Sequence, residues 1–177
     1  MNKAFGEIFR ASREAAARLA FPPFVKPEPE STPLNATPYL AHLREAGIDG
    51  FLSNRTALLV ELRAGLERLR LLGVEPVAAL LGGSAIGPKE RPCDLDCTIF
   101  YRVAPDVTPR LGELAPLQRD LRQRRLDVRL FPLDSDPLLL IKTVSFFTTL
   151  YSKHNTSLEI VRGLVLLDCR PEAPDLS

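Results

Sequence analysis

Three aspartates in this sequence have the type and spacing expected of a divalent-cation site. Asp94 and Asp96 are separated by one residue, and Asp127 follows in a later apolar segment. Residues two apart on a strand share a face and lie about 6–7 Å apart at the backbone. Carboxylate oxygens are the ligands that Mg²⁺ prefers, and Mg²⁺ supports phosphoryl and nucleotidyl transfer. The alternative for Asp94 and Asp96 is a solvated strand edge.

A glycine-serine turn precedes these acids. The apolar residues 77–81 lie between a proline and Gly82, which is typical of a buried strand, and Gly83 and Ser84 follow directly. Two glycines allow a sharp turn and a close approach to a ligand. Free backbone N–H groups after such a turn suit a phosphate, although an ordinary strand-to-helix turn would have the same sequence.

The third acid interrupts an alternating strand pattern. Asp127 lies in residues 126–132, where Leu126, Val128 and Leu130 alternate with polar residues. Aspartate is disfavoured in strands, so its presence there indicates a specific role. That role is either metal binding or an ion pair with Arg129 or Arg125.

The order of turn, paired acids and third acid resembles the DNA polymerase β-like nucleotidyltransferase superfamily. Within it, Gly83-Ser84, Lys89 and Pro92-Cys93-Asp94-Leu95-Asp96 look like small, uncharacterised bacterial nucleotidyltransferase-like proteins. The resemblance covers about residues 55–150. It implies an α+β nucleotidyltransferase fold, with a small mixed β-sheet flanked by helices.

The resemblance also implies a role for each residue of the motif. Gly83 and Ser84 would hold the phosphates of a nucleoside triphosphate, by default ATP. Asp94, Asp96 and Asp127 would be the catalytic residues and would ligate two Mg²⁺ ions. Asp127 would also orient or deprotonate the acceptor hydroxyl.

Basic residues around the motif have two interpretations each. Lys89 lies between the turn and Asp94, where it would contact a phosphate or remain an exposed loop lysine. Residues 109–129 carry several arginines that predict either a solvated helix face or a basic rim for a triphosphate or acidic acceptor. They are Arg110, Arg119, Arg122, Arg124, Arg125 and Arg129.

The elements that must position these residues follow from local patterns. We expect helices over residues 1–20, 38–46, 53–72, 109–125 and 136–152. Strands are expected over 77–81, 94–101, 126–132 and 163–168, and the last is a candidate edge strand. Leu139, Leu140, Val144, Phe147 and Leu150 are predicted to pack inward. Residues 1–38 are predicted to form an N-terminal helix and proline-rich arm, residues 39–170 the nucleotidyltransferase-like domain, and residues 171–177 a flexible tail.

Composition limits the partners and the compartment. The chain has 177 residues and a net charge of +1, so a long nucleic-acid substrate is not indicated. It contains no apolar run long enough to cross a bilayer. Glu7 and Glu14 argue against a transit peptide, and three cysteines give no disulfide framework, so we expect a cytoplasmic protein.

Three functions remain open from the sequence. The first is a metal-dependent nucleotidyltransferase acting on a small-molecule or protein hydroxyl. The second is an antitoxin-like or regulatory binding partner with the same fold, with or without protein AMPylation. The third is a homo-oligomeric structural protein. About forty residues follow Asp136, so either the acceptor is small or a partner protein completes the site.

Overall fold

The computed structural model describes residues 37–43, 55–86, 89, 91–153 and 163–171. Within these ranges the chain forms a mixed five-stranded sheet and three α-helices, an α+β architecture. The strands are β1 (Tyr39–His42), β2 (Val74–Gly82), β3 (Leu95–Val103), β4 (Leu126–Pro132) and β5 (Val165–Asp168). The helices are α1 (Thr56–Leu71), α2 (Leu114–Gln123) and α3 (Pro137–Ser152).

The sheet has the strand order β1-β5-β2-β3-β4. Strand β2 runs antiparallel to both of its neighbours, β3 and β5. The pairs β3–β4 and β1–β5 are parallel. Helix α2 provides the crossover that a parallel β3–β4 pair requires, because parallel strands cannot be joined by a tight hairpin.

Helices α1 and α2 cover one face of the sheet. Helix α1 carries a stripe of leucines on its inner face, since Leu58, Leu62, Leu66 and Leu69 are all buried. They pack in the main core with alternate residues of the strands, including Leu95, Cys97 and Ile99 of β3. Because these alternate residues of β3 are buried on the face of α1 and α2, Asp96 must point to the opposite face.

Helix α3 covers the opposite face of the sheet. Its start is well defined, because the Asp136 carboxylate accepts hydrogen bonds from the N–H groups of Leu138 and Leu139, and Pro137 occupies the first position. Leu140, Val144 and Phe147 pack inward as predicted, onto a cluster that contains Leu80, Phe100, Tyr151 and Leu164.

The prediction that Leu139 and Leu150 pack inward is wrong, because both side chains are about half exposed. Helix α3 covers a single sheet, so only one narrow stripe of its surface meets the core. The remaining apolar residues of this helix face outward.

Two other sequence expectations are also wrong. Residues 38–46 were expected to be helical, but Tyr39–His42 form β1. Tyr39 and Ala41 are buried and alternate with half-buried residues, so pairing with β5 outweighs the local helical tendency. Consequently β5 is not at an edge, because it lies between β1 and β2.

Several predictions fall outside the described residues. These include the N-terminal helix at 1–20, most of the proline-rich arm and nearly all of the tail. Among the helices of the described ranges, none combines the length and the apolar content needed to cross a bilayer.

Candidate functional site

The glycine turn lies at the end of β2. Gly82 is the last residue of that strand, and Gly83–Ile86 form a single 3₁₀ turn. Gly83 has a φ of +67°, a conformation that side chains other than glycine rarely adopt. A β-carbon placed on Gly83 would lie 1.7 Å from Oδ2 of Asp96. The carboxylate of Asp96 therefore rests against the backbone of the turn, in a space that only glycine leaves open.

Sheet register aligns the turn with two of the predicted acids. Gly82 is paired with Asp96 across β2 and β3, and Asp96 is paired with Asp127 across β3 and β4. Neighbouring strands lie about 4.8 Å apart, so the turn and both aspartates occupy one line across three strands. Like charges placed side by side on a sheet repel, and this arrangement requires a nearby positive charge.

Two arginines supply positive charge at Asp127. Arg129 lies two residues along β4 and donates from Nη1 to Oδ1 at 2.6 Å and from Nη2 to Oδ2 at 3.3 Å. Arg122 of α2 donates to Oδ1 from Nη2 at 2.8 Å and from Nε at 3.1 Å. The ion-pair alternative for Asp127 is thus present with Arg129, and its second partner is Arg122 rather than Arg125.

These contacts set the protonation of Asp127. Partial burial is the largest single influence and acts to raise its pKa, but the hydrogen bonds from Arg122 and Arg129 together outweigh it. The net result is a pKa for Asp127 below the ordinary value of an aspartate. The side chain is therefore a firmly ionised carboxylate, held in a fixed orientation.

Asp94 lies immediately before β3, on a segment that Arg125 holds in place. The Arg125 guanidinium donates to the carbonyl oxygens of Cys93 at 2.6 Å and of Pro92 at 2.5 Å. The N–H of Leu95 in turn donates to the Arg125 carbonyl at 2.9 Å. Arg125 itself has a φ of +69°, so this anchor uses a backbone conformation that is unfavourable for arginine. Asp94 is half-buried beside it.

The other two predicted ligand-binding residues are Ser84 and Lys89. Ser84 is half-buried within the 3₁₀ turn that follows β2. Lys89 is exposed, and its Nζ lies 4.0 Å from Sγ of Cys93, next to Asp94. The Lys89 carbonyl accepts a hydrogen bond from Nη2 of the buried Arg55 at 2.5 Å, which ties this part of the loop to the start of α1.

The arginines of residues 109–129 divide between site and scaffold. Arg122, Arg125 and Arg129 contact Asp127 or the segment before Asp94. Arg124 instead pairs with Asp120 and Glu61, and Arg110 donates to the Leu71 carbonyl at the end of α1. The segment therefore contains arginines that contact the site residues and arginines that hold the helices together.

Two further residues lie on the aspartate face of the sheet and were not identified from the sequence. The hydroxyl groups of Thr98 and Tyr151 share a hydrogen bond of 3.0 Å, and both residues are buried. Thr98 follows Asp96 by two residues on the same face of β3, and Tyr151 brings the end of α3 over Gly82. Burial raises the pKa of Tyr151, so it remains a neutral phenol.

Sequence signals for these two residues exist in retrospect. Thr98 lies two residues after Asp96, so on a strand it shares the face of the aspartates. Tyr151 continues the buried spacing of Leu140, Val144 and Phe147, at four residues beyond the last of them.

The residues of the site fit a hard cation in chemical type but are not gathered into a complete metal centre. Within the described ranges, no group of three or more histidine, cysteine, aspartate or glutamate side chains is arranged to hold a metal ion. Asp94 and Asp96 carry carboxylate groups of the kind that Mg²⁺ prefers, with Asp96 against the glycine turn, and the Asp127 oxygens accept from arginine. A cation bound here would share Asp127 with those guanidinium groups or take it from them.

Comparison of the chain with protein-family models, with curated proteins and with solved structures found no match to any of them.

Proposed function

We propose that this protein is a metal-dependent nucleotidyltransferase. It would move a nucleoside monophosphate from a nucleoside triphosphate, ATP by default, to a hydroxyl of a small molecule or a protein and release pyrophosphate. The observation that supports this most directly is the register that places Gly82, Asp96 and Asp127 side by side on three strands. The glycine turn, the strand of the paired acids and the strand of the third acid are separate in sequence, and they are neighbours in this sheet.

Each residue of the site has a role in this proposal. Gly83 and Ser84 would face the phosphates of the donor, because the turn has a backbone without a side chain at Gly83 and a hydroxyl at Ser84. Asp94 and Asp96 would hold Mg²⁺, and Asp127 would orient the acceptor hydroxyl. When bound, Mg²⁺ supplies neutralisation of the charge that develops on the transferred phosphoryl group. Lys89 would pair with a phosphate oxygen from the Asp94 side of the site.

The chain's own arginines contribute charge at the same place. Arg129 lies on the face of β4 that carries Asp127, and it is paired with Thr98, two residues after Asp96 on the neighbouring strand. Phosphoryl transfer depends mainly on positioning and on electrostatic stabilisation, so fixed guanidinium groups next to the reacting phosphate favour it.

A second candidate function is a regulatory or antitoxin-like binding module with the same site but without transfer. One observation favours it, namely that Arg122 and Arg129 both engage Asp127 and leave its carboxylate already neutralised. A protein of this kind would bind nucleotide weakly or not at all, and divalent cations would not change that.

Thermal unfolding separates the two candidates. The native chain is heated with each of the four nucleoside triphosphates, with and without Mg²⁺, beside the variant Asp94→Asn/Asp96→Asn. A ligand at about 100 times its dissociation constant stabilises the folded state by about 2.7 kcal/mol, which raises the melting temperature by about 5–10 °C for a chain of this size.

A shift that requires Mg²⁺, prefers one nucleotide and disappears in the double variant would support the transferase. Asp106→Asn is the matched control, because Asp106 is an exposed turn residue beyond the far end of β3, and asparagine tolerates its positive φ. A nucleotide shift that is the same with and without Mg²⁺, or in all three proteins, would contradict the proposal.

A further inference from the structure

One flank of α3 carries an exposed apolar stripe. Leu139, Phe146 and Leu150 are 51%, 58% and 49% exposed. Because successive residues of a helix are rotated by about 100°, these three side chains project from the same flank. With Thr143 they follow a spacing of four, three and four residues. That spacing is typical of the seam along which one helix packs against another. We call these four residues the α3 seam.

Helix α3 is poorly suited to remain in contact with water along this seam. Lys142 is its only charged residue. The stripe that carries Leu140, Val144 and Phe147, about 100° around the helix from the seam, is already buried against the sheet, so the exposed apolar residues are additional to those that the fold needs. An amphipathic surface helix normally places polar residues there.

The start of the chain carries a second seam of matching period. In residues 1–20 the positions Phe5, Phe9, Ala16 and Leu19, with Ser12 between them, follow a spacing of four, three, four and three. At 100° per residue the charged side chains of this segment fall on the other side of such a helix. They are Lys3, Glu7, Arg10, Arg13, Glu14 and Arg18.

The described part of the chain begins at Thr37, which is hydrogen-bonded next to β5. Thr37 accepts a hydrogen bond at Oγ1 from the N–H of Leu164 at 2.7 Å. Leu164 packs beside Tyr151, the penultimate residue of α3, and both side chains surround Gly82. Thr37, the first described residue, therefore lies near the C-terminal end of α3.

The intervening chain is long enough to reach the seam. Sixteen residues, 21–36, separate the segment from Thr37. A proline-rich stretch of that length spans up to about 50 Å at about 3.1 Å per residue. Helix α3 is about 24 Å long at 1.5 Å per residue. Tethering also favours this occupant over a separate molecule, because a linked segment has a high effective concentration at its site.

We propose that residues 5–19 of this chain dock as a helix on the α3 seam and cover Leu139, Phe146 and Leu150. The docked segment would lie alongside α3, on the side of the sheet that carries Asp96 and Asp127. This inference does not depend on the proposed function.

Hydrogen–deuterium exchange of the full-length chain tests the proposal. Amides 5–19 are expected to exchange at least about tenfold more slowly than in the unfolded chain, since burying even one Leu or Phe shifts an equilibrium by more than that factor. In the variant Leu139→Glu/Phe146→Glu this protection should be lost. Phe9→Glu should likewise remove it, with the exchange of β2 and β3 unchanged in both variants.

Ile141→Glu is the matched control. Ile141 is 62% exposed on the same helix but lies on the flank away from the seam, so glutamate there should leave amides 5–19 protected. Unfolded-chain exchange of 5–19 in the native protein would overturn the proposal, as would equal loss of protection in Ile141→Glu and Leu139→Glu/Phe146→Glu. Protection of α3 that rises with protein concentration while 5–19 stay unprotected would also overturn it, and would assign the seam to a second copy.

Discussion

The carboxylate of Asp96 lies so close to Gly83 that a β-carbon on Gly83 would be 1.7 Å from Oδ2 and 2.7 Å from Cγ. The glycine of the turn and the second acid of the motif therefore define a single packed contact, although thirteen positions separate them along the chain. Neither residue can change size without moving the other.

Gly83→Ala should disable the site and destabilise the fold. The methyl group would force Asp96 to rotate away, and alanine would have to adopt a φ of +67°, which alone costs about 1–3 kcal/mol. We expect lower stability in urea unfolding and no Mg²⁺-dependent nucleotide binding. Gly112→Ala is the control, because no atom lies within 4 Å of the position that its methyl group would take, and stability should change by less than about 0.5 kcal/mol.

Removal of the two arginines should raise the pKa of Asp127. Burial already acts in that direction, and Arg122 and Arg129 oppose it, so Arg122→Gln/Arg129→Gln should bring the pKa above the ordinary aspartate value. In the native protein the folded-state pKa lies below the unfolded value. The ionised form thus stabilises the fold above the unfolded pKa, and this contribution is lost as the pH falls through the folded pKa.

Carboxyl ¹³C NMR titration measures this change, and a second pair in the chain provides the control. Asp168 is also partly buried, and its pKa is lowered against that burial by Arg170, which donates at 2.7 Å. Arg170→Gln should raise the pKa of Asp168 and leave Asp127 unchanged. An Asp127 pKa that stays low in Arg122→Gln/Arg129→Gln would refute the assignment of its partners.

The Thr98–Tyr151 hydrogen bond should show strong coupling in stability. Tyr151→Phe leaves the buried Thr98 hydroxyl without this partner, which costs about 1–3 kcal/mol. Thr98→Val likewise leaves the Tyr151 hydroxyl without its hydrogen-bond partner. The double variant should lose clearly less than the sum of the two single losses in urea unfolding, whereas additive losses would show that the two hydroxyls do not act together.

Arg125→Ala should loosen the segment that carries Asp94. The variant removes the hydrogen bonds to the carbonyl oxygens of Pro92 and Cys93 but leaves the strands in place. We expect faster hydrogen exchange at residues 91–94 and weaker Mg²⁺-dependent nucleotide binding. Arg119→Ala serves as the control, since Arg119 is an exposed residue of the same basic segment, and unchanged exchange in both variants would show that Arg125 is not the anchor.

Local patterns in the sequence were sufficient for most elements of the fold. Strand β4 has the predicted bounds, and α1 and α3 begin and end within a few residues of expectation. These elements are long or strongly periodic, so their own residues determine them. The face of β3 was also predictable, because Leu95, Cys97 and Ile99 must be buried together.

Relations between distant parts of the chain were not predictable. Strand β1 is short. Its alternation of buried and half-buried residues depends on pairing with β5, which lies far along the chain. The sequence limited the ion-pair partners of Asp127 to nearby arginines. That Arg122 is one of them depends on how α2 crosses from β3 to β4. Likewise, nothing local to Tyr151 indicates that the end of α3 reaches Thr98.

The parallel pairing of β1 with β5 also has a consequence for how the protein is made. The ribosome produces β1 before any other strand of the described sheet, but its only neighbour, β5, emerges last. Strands β2, β3 and β4 can pair while synthesis continues, and the open edge of β2 must wait for β5 as well. Unpaired edges of this kind promote aggregation, so a nascent chain stalled before residue 165 exposes two of them.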